Sequence, residues 1–266
     1  MQFDLFPYGK PFHLILGLRI LKPLSLRITV FDSNTKRVYA QRRLKLAKSL
    51  DLKMKMPIVP DELTARIVAE NETPGQTAFA LERIEVKPDT KCPLELTEDD
   101  RKFIAFIKWF ATELPRLEAG EKGTIYQSEG FSILYLDQLK DGGTELTTPA
   151  RIDRNSGMIE VSKKAIVDFT VPMLMIMLLH EYGHKYKNPE FGKAIANELT
   201  ADIIAVHMAL NLGFDFTEVE NCYRAVFAKK DTELNRKRMK AISEFIQLFR
   251  ANESCRCKPK SHASRS

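Results

Sequence analysis

The chain has 266 residues, 44% hydrophobic and 29% charged, with four cysteines and a net charge of +6. That balance is ordinary for a soluble globular protein long enough to bury a real core, as one large domain or two small ones. It leaves little room for a membrane protein, since the longest apolar run, Val171–Leu179, is nine residues, under half of what a bilayer requires.

The opening "MQFDLFPYGKPFHLILGLRI" lacks a basic leader, carries Asp4 early and is broken by Pro7 and Pro11, so it does not read as a secretory signal. Cys92, Cys222, Cys255 and Cys257 are unevenly placed and read as free thiols of a reducing, cytoplasmic protein. From Lys229 to Ser266 eleven Lys/Arg face four Asp/Glu, a local charge of +7, so the preceding residues sum to −1. Such a basic end suits a solvated helix face and a frayed terminus better than a nucleic-acid contact, which rests on charge alone.

Residues 1–90 read as strands. In "LSLRITV" Leu24, Leu26, Ile28 and Val30 share one face, and in "LDLKMKM" Leu50, Leu52, Met54 and Met56 do the same. "FHLILGLRIL", "KRVYAQRRLKL", "LTARIVAE" and "AFALERIEV" add four candidates, separated by "DSNTK", "VPDE" and "NETPGQ". This spacing predicts a small β-sandwich or jelly-roll-like module, suited to contacting a protein partner.

The period changes near "KPDTKCPLE", where a domain boundary is expected, with a second domain over 91–251 and a basic flexible tail over 252–266. Thr97 and Asp100 fit an N-cap and its N3 carboxylate, followed by Phe103, Ile104, Ile107, Phe110, Ala111 and Leu114 at helical spacing. Pro115 should kink or stop that helix, and the sole tryptophan, Trp109, is expected in its core face. "GTIYQSEGFSILYLD" and "ARIDRNSGMIEVS" return to strands, the latter with a hairpin turn at Asn155-Ser156-Gly157. Four helices follow: about 170–186, about 189–212 stopped by Gly213, one opening on a Thr217/Glu220 capping box, and about 231–251. Cys255, Cys257 and His262 match no zinc-knuckle spacing and read as loose tail.

The stretch "LLHEYGHKYKNPEFGKAIANELTAD" concentrates the chemistry. His180 and His184 are four apart, so a helix stacks both imidazoles on one face, where two nitrogens can converge on one cation. Glu181 points about 100° aside, able to reach a water on that cation without displacing it. Gly183 would let another segment pack close. A catalytic zinc needs a third protein ligand and one open position. A helix returning antiparallel would bring Glu198 over the histidines, and Asp202, one turn on, could orient a ligand histidine through its second ring nitrogen.

"HEYGH" followed by "NELTAD" resembles the gluzincin metallopeptidases, and the short gap with "ELTADIIAVHMAL" is most similar to the ImmA/IrrE-type peptidases of mobile elements and stress regulators. The likeness spans about 97–212; no helix-turn-helix accompanies it. It implies a zincin-like domain of mixed sheet and active-site helices; the N-terminal sandwich, which is not part of the family pattern, makes the whole an α+β protein. It also implies one Zn²⁺ per chain on His180, His184 and Glu198, with Glu181 as general base and Asp202 behind a ligand histidine. "GMIEVS", Gly157–Ser162, resembles the edge strand that pairs with an extended peptide substrate in such enzymes. The oxyanion-stabilising group has no clear match; Tyr223 and Arg238 are candidates, whereas His207 should face away.

The expected activity is therefore zinc-dependent endopeptidase cleavage of a protein or peptide. The competing expectation is a non-catalytic structural or assembly role on a zincin fold, as in a virus particle.

Overall fold

Period-two alternation in the first 88 residues folds them into two antiparallel sheets. The fold is seen in a computed structural model, which describes residues 1–70, 78–88, 96–153, 155–187 and 198–256, with side chains to 251. The strands are β1 (Gln2–Leu5), β2 (Phe12–Ile20), β3 (Leu24–Phe31), β4 (Val38–Leu46), β5 (Leu50–Met56), β6 (Leu63–Ala69) and β7 (Phe79–Pro88). They form one sheet in the order β1-β6-β3-β4 and a second in the order β5-β2-β7. Leu14 and Leu16, Leu26, Ile28 and Val30, and Met54 and Met56 are buried, while the alternate residues are more open. All six predicted strands form. The four-residue β1 is too short to carry a period and escapes sequence reading. The "DSNTK" turn closes because Asp32 Oδ1 accepts from the N–H groups of Asn34 and Thr35 at 2.7 and 3.2 Å. "NETPGQ" and the expected boundary near residue 90 lie outside the described residues.

The helix α1 (Glu98–Glu113) starts on the reciprocal Thr97/Asp100 box and passes at Pro115 into a 3₁₀ turn, Leu114–Arg116. Its stripe Phe103, Phe106, Ile107, Phe110 and Ala111 is buried. Trp109 is not core: it is 43% exposed and leans on Phe106 and Tyr126 at the rim. Two residues past Ile107 and one before Phe110, it falls off the buried stripe.

A third sheet is built from β8 (Thr124–Ser128), β9 (Phe131–Leu136), β12 (Ala150–Ile152) and β13 (Ile159–Ser162), while β10 (Lys140–Asp141) and β11 (Thr144–Glu145) pair as a small hairpin of their own. Its order is β12-β13-β9-β8, with β13 parallel to β9 and antiparallel to β12. The strand in Gly157–Ser162 is therefore interior, not the edge strand expected; the edge belongs to β12. Parallel pairing with β9 buries Ile159, Val161 and Ser162, which a local hairpin reading cannot foresee. The β12–β13 turn is held by Asp153 Oδ1, which accepts from Asn155 N, Ser156 N and Ser156 Oγ, with Gly157 at φ +76°.

The remaining helices are α2 (Val171–Tyr182), capped by Thr170, α3 (Glu198–Asn211), α4 (Phe216–Phe227) and α5 (Glu233–Arg256). Every residue of α2 is buried. Its chain continues as a single π turn, Gly183–Lys187. The expected helix start at Pro189 lies outside the described residues, and Gly213 at φ +94° follows the end of α3. Helix α4 is capped by Asp215, whose Oδ1 accepts from Thr217 N at 2.8 Å, so Thr217 lies within the first turn and is not the cap. Helix α5 extends five residues into the expected tail.

The described chain is thus a mixed α+β structure of several sheets and five α-helices. Most of its buried apolar residues, from Leu5 to Ile246, form one continuous cluster. Among the described residues no helix is long and apolar enough to cross a membrane.

Candidate metal centre

The apolar helix α2 carries His180 and Glu181 at its C-terminal end, where burial holds them rigidly: each is 7% exposed. His184 sits in the π turn, and α3 returns alongside to present Glu198 at its first position. Gly183 permits this approach. A Cβ there would lie 3.3 Å from the Ala201 carbonyl oxygen and 3.4 Å from Ala201 Cα and Ile204 Cγ2, so no larger residue fits without movement.

The three candidate ligands converge. His180 Nε2 and His184 Nε2 are 3.1 Å apart. Glu198 Oε2 lies 3.4 Å from the former and Glu198 Oε1 3.3 Å from the latter. Tetrahedral zinc with bonds of about 2.0–2.1 Å spaces its ligand atoms about 3.3 Å apart. The donor set therefore fits a small divalent cation in both chemistry and separation. It is the one His/Cys/Asp/Glu cluster of this kind among the described residues.

Asp202, fully buried one turn along α3, places Oδ1 2.9 Å from His180 Nδ1. Its carboxylate also takes two contacts from Arg238 on α5, Nε to Oδ2 at 2.6 Å and Nη2 to Oδ1 at 2.9 Å. Arg238 Nη2 reaches Glu198 Oε2 as well, at 3.1 Å. A single guanidinium thus ties a candidate ligand to the carboxylate behind another. Tyr223 of α4 is 1% exposed, and its hydroxyl donates to the Asp202 carbonyl oxygen at 3.3 Å. Both sequence candidates for an oxyanion group are therefore engaged in holding α3: burial closes Tyr223 to a substrate, and Arg238 is committed to two carboxylates.

The electrostatics follow from crowding ionisable groups in a dry site. Burial acts against a charged His180, but Asp202 and Glu198 outweigh it and raise the imidazole to about 10. Partial burial works to raise the Glu198 carboxyl, yet His180, His184 and Arg238 hold it below the usual carboxylate range. Burial raises the Glu181 carboxyl, opposed by the two imidazoles and by a backbone hydrogen bond from Ile152 of β12. That bond brings the edge strand of the third sheet against the acid that follows the first histidine.

The scaffold behind the site includes residues that sequence reading passed over. Tyr182 stacks on Phe103 with ring centroids 4.3 Å apart, and its hydroxyl donates to Asp100 Oδ1 at 2.8 Å. Asp100 therefore caps α1 and anchors the histidine helix together; its capping signal was visible, its second partner was not. His207 is exposed and packs its ring against Phe245 and Phe249, facing away from the site as expected. Cys222 is a buried free thiol, while Cys92, Cys257 and His262 fall outside the described residues. Set beside known family models, curated proteins and solved structures, the chain matches none of them.

Proposed function

We propose that the chain is a zinc-dependent metalloendopeptidase with a zincin-like catalytic domain behind its N-terminal sandwich. The observation that carries this reading is the convergence of His180, His184 and Glu198 at 3.1–3.4 Å beside the buried carboxyl of Glu181. His180, His184 and Glu198 would hold the ion; when bound, it supplies Lewis acidity, polarising a scissile carbonyl and acidifying water. Glu181 accepts a proton from the attacking water and delivers it to the leaving amine. Its burial favours that role, because a carboxyl raised from its ordinary range is a stronger base once ionised and an easier donor once protonated.

Asp202 and Arg238 keep the His180 ring and the Glu198 carboxylate in register, and Tyr223 fixes the backbone of α3 between them. The edge strand β12, whose Ile152 N–H meets Glu181, is where an extended peptide would lie beside the catalytic acid.

Elemental analysis of protein purified without a metal-affinity step should give about one zinc per chain, lost in His184→Ala and Glu198→Ala. Glu181→Gln should keep the zinc and abolish cleavage of a peptide library. A zinc-loaded Glu181→Gln protein that cleaves as well as wild type would sink the mechanism. Zinc bound with no cleavage by either protein would favour a structural or assembly role.

A further inference from the structure

Away from the metal centre, a cleft of about 620 Å³ opens where β4 and β5 meet the start of α4 and the end of α5. Its charged lining is Arg42, Arg43, Lys53 and Arg250 against a single carboxylate, Asp215. One of the cations is fully engaged and a second only loosely, with its side chain 67% exposed. Arg42 is 6% exposed and sits between Glu218, in a close ion pair, and Asp215 at 3.1 Å, while Arg43 Nε lies 3.4 Å from Glu70. The other two are not: among the described residues neither Lys53 nor Arg250 has an acidic partner.

Arg250 is instead held over the Phe216 ring at 5.2 Å, with Lys55 at 5.0 Å from the same centroid. A phenyl ring with two cations drawn to it offers no open face for an apolar or aromatic guest. It does preorganise the Arg250 guanidinium at the cleft wall. Asp215 already has partners in Arg42 and in Thr217 N, and the three exposed cations of the lining outnumber it.

The geometry points to an anion site: this cleft binds a small molecule carrying two or more phosphate groups, through Arg43, Lys53 and Arg250. Three cations contributed by three separate elements suit several phosphates rather than one. Guanidinium forks match paired phosphate oxygens better than they match a single carboxylate at a mobile side-chain tip. A concave space of this size suits a small ligand rather than the flat face of a macromolecule. The site does not rest on the peptidase reading, and its ligand need not touch the metal centre.

The test is calorimetric titration of the full chain with sodium tripolyphosphate at about 150 mM NaCl, where exposed charges more than about 8 Å apart are largely screened. The titration is run as purified and again with EDTA, so that chelation is separated from binding. One saturable site is expected in both. Lys53→Ala/Arg250→Ala, both exposed positions, should weaken it at least about tenfold, as loss of two charge-assisted contacts implies. Lys237→Ala/Lys240→Ala, on the same basic helix but outside the cleft, should change it less than about twofold. Thermal melts of each variant check folding, and Lys53→Arg/Arg250→Lys should restore binding. No saturable binding overturns the proposal, as does equal weakening by both double variants. Binding of a single-stranded oligonucleotide of roughly twenty residues without binding of tripolyphosphate would also overturn it, pointing to an extended charged surface.

Discussion

Asp202→Asn is the sharpest probe of how the candidate metal centre is held. The substitution keeps the volume of a fully buried side chain, so no cavity forms, and removes only charge. The lost charge faces three contacts: His180 Nδ1 at 2.9 Å and Arg238 at 2.6 and 2.9 Å. Breaking a buried, bidentate pair of this kind costs about 3 kcal/mol of stability. Removing the carboxylate behind a ligand histidine weakens metal binding by about 10–100-fold. Zinc at a hundred times the wild-type Kd should stabilise the wild type by about 2.7 kcal/mol. With affinity down about thirtyfold, the same zinc stabilises Asp202→Asn by only about 0.9 kcal/mol. Urea unfolding of both proteins, with and without zinc, measures the two effects separately. If zinc stabilises both proteins equally, Asp202 does not orient a ligand and the reasoning fails, whatever happens to the stability of the apo protein.

Gly183→Val should force α2 and α3 apart at Ala201 and Ile204, costing roughly 1–3 kcal/mol, or about 2–4 °C in Tm for each kcal/mol. It should also weaken zinc binding because Glu198 and Asp202 travel with α3; an unchanged melt and zinc isotherm would contradict the close approach. Thr97→Ala removes the cap of α1 and should cost about 1 kcal/mol, read by thermal unfolding. Thr97→Ser should recover most of that loss. Burial raises the Glu218 carboxyl above its ordinary value, with Arg42 opposing, so the folded state holds this proton more tightly than the unfolded chain. That contribution is complete below the unfolded carboxyl range and disappears as pH rises through the folded value. Wild type should therefore lose stability relative to Glu218→Gln as pH climbs from about 4 toward neutrality, measured by urea unfolding at several pH values. A flat or reversed difference would show that the pairing with Arg42 outweighs burial.

Much of this architecture was legible because short-range rules decide it. Alternation marks β3 and β5 and the intervening turn residues delimit the other strands from β2 to β7, and the Thr97/Asp100 box fixes the start of α1 through two reciprocal local bonds. The His180/His184 spacing needs only helix geometry, and Glu198 and Asp202 follow once a second helix returns. Where the reading missed, either a long-range partner or a competing local detail decided the outcome. The strand in Gly157–Ser162 looks like half of a hairpin, but its other edge is claimed by β9, more than twenty residues upstream, which turns it into an interior strand. Trp109 is apolar in composition yet sits off the buried stripe of α1. Thr217 satisfies a capping pattern, but Asp215 two residues earlier offers Oδ1 to Thr217 N and takes the cap.

The same distinction explains why Arg238 could be named but not given its role. Nothing local joins residue 238 to residues 198 and 202; only the packing of α5 on α3 brings its guanidinium to both carboxylates. Once there, its position has a consequence for the chemistry. A guanidinium 3.1 Å from Glu198 competes with a bound cation for the electron pairs of that carboxylate, yet it also holds the Asp202 side chain in place beside His180. The two effects oppose each other in affinity but agree in geometry, since both hold the carboxylates of α3 at fixed distances from α2. Neutralising Arg238 should therefore change metal affinity less than neutralising Asp202, while costing comparable stability, because each breaks the same buried pair.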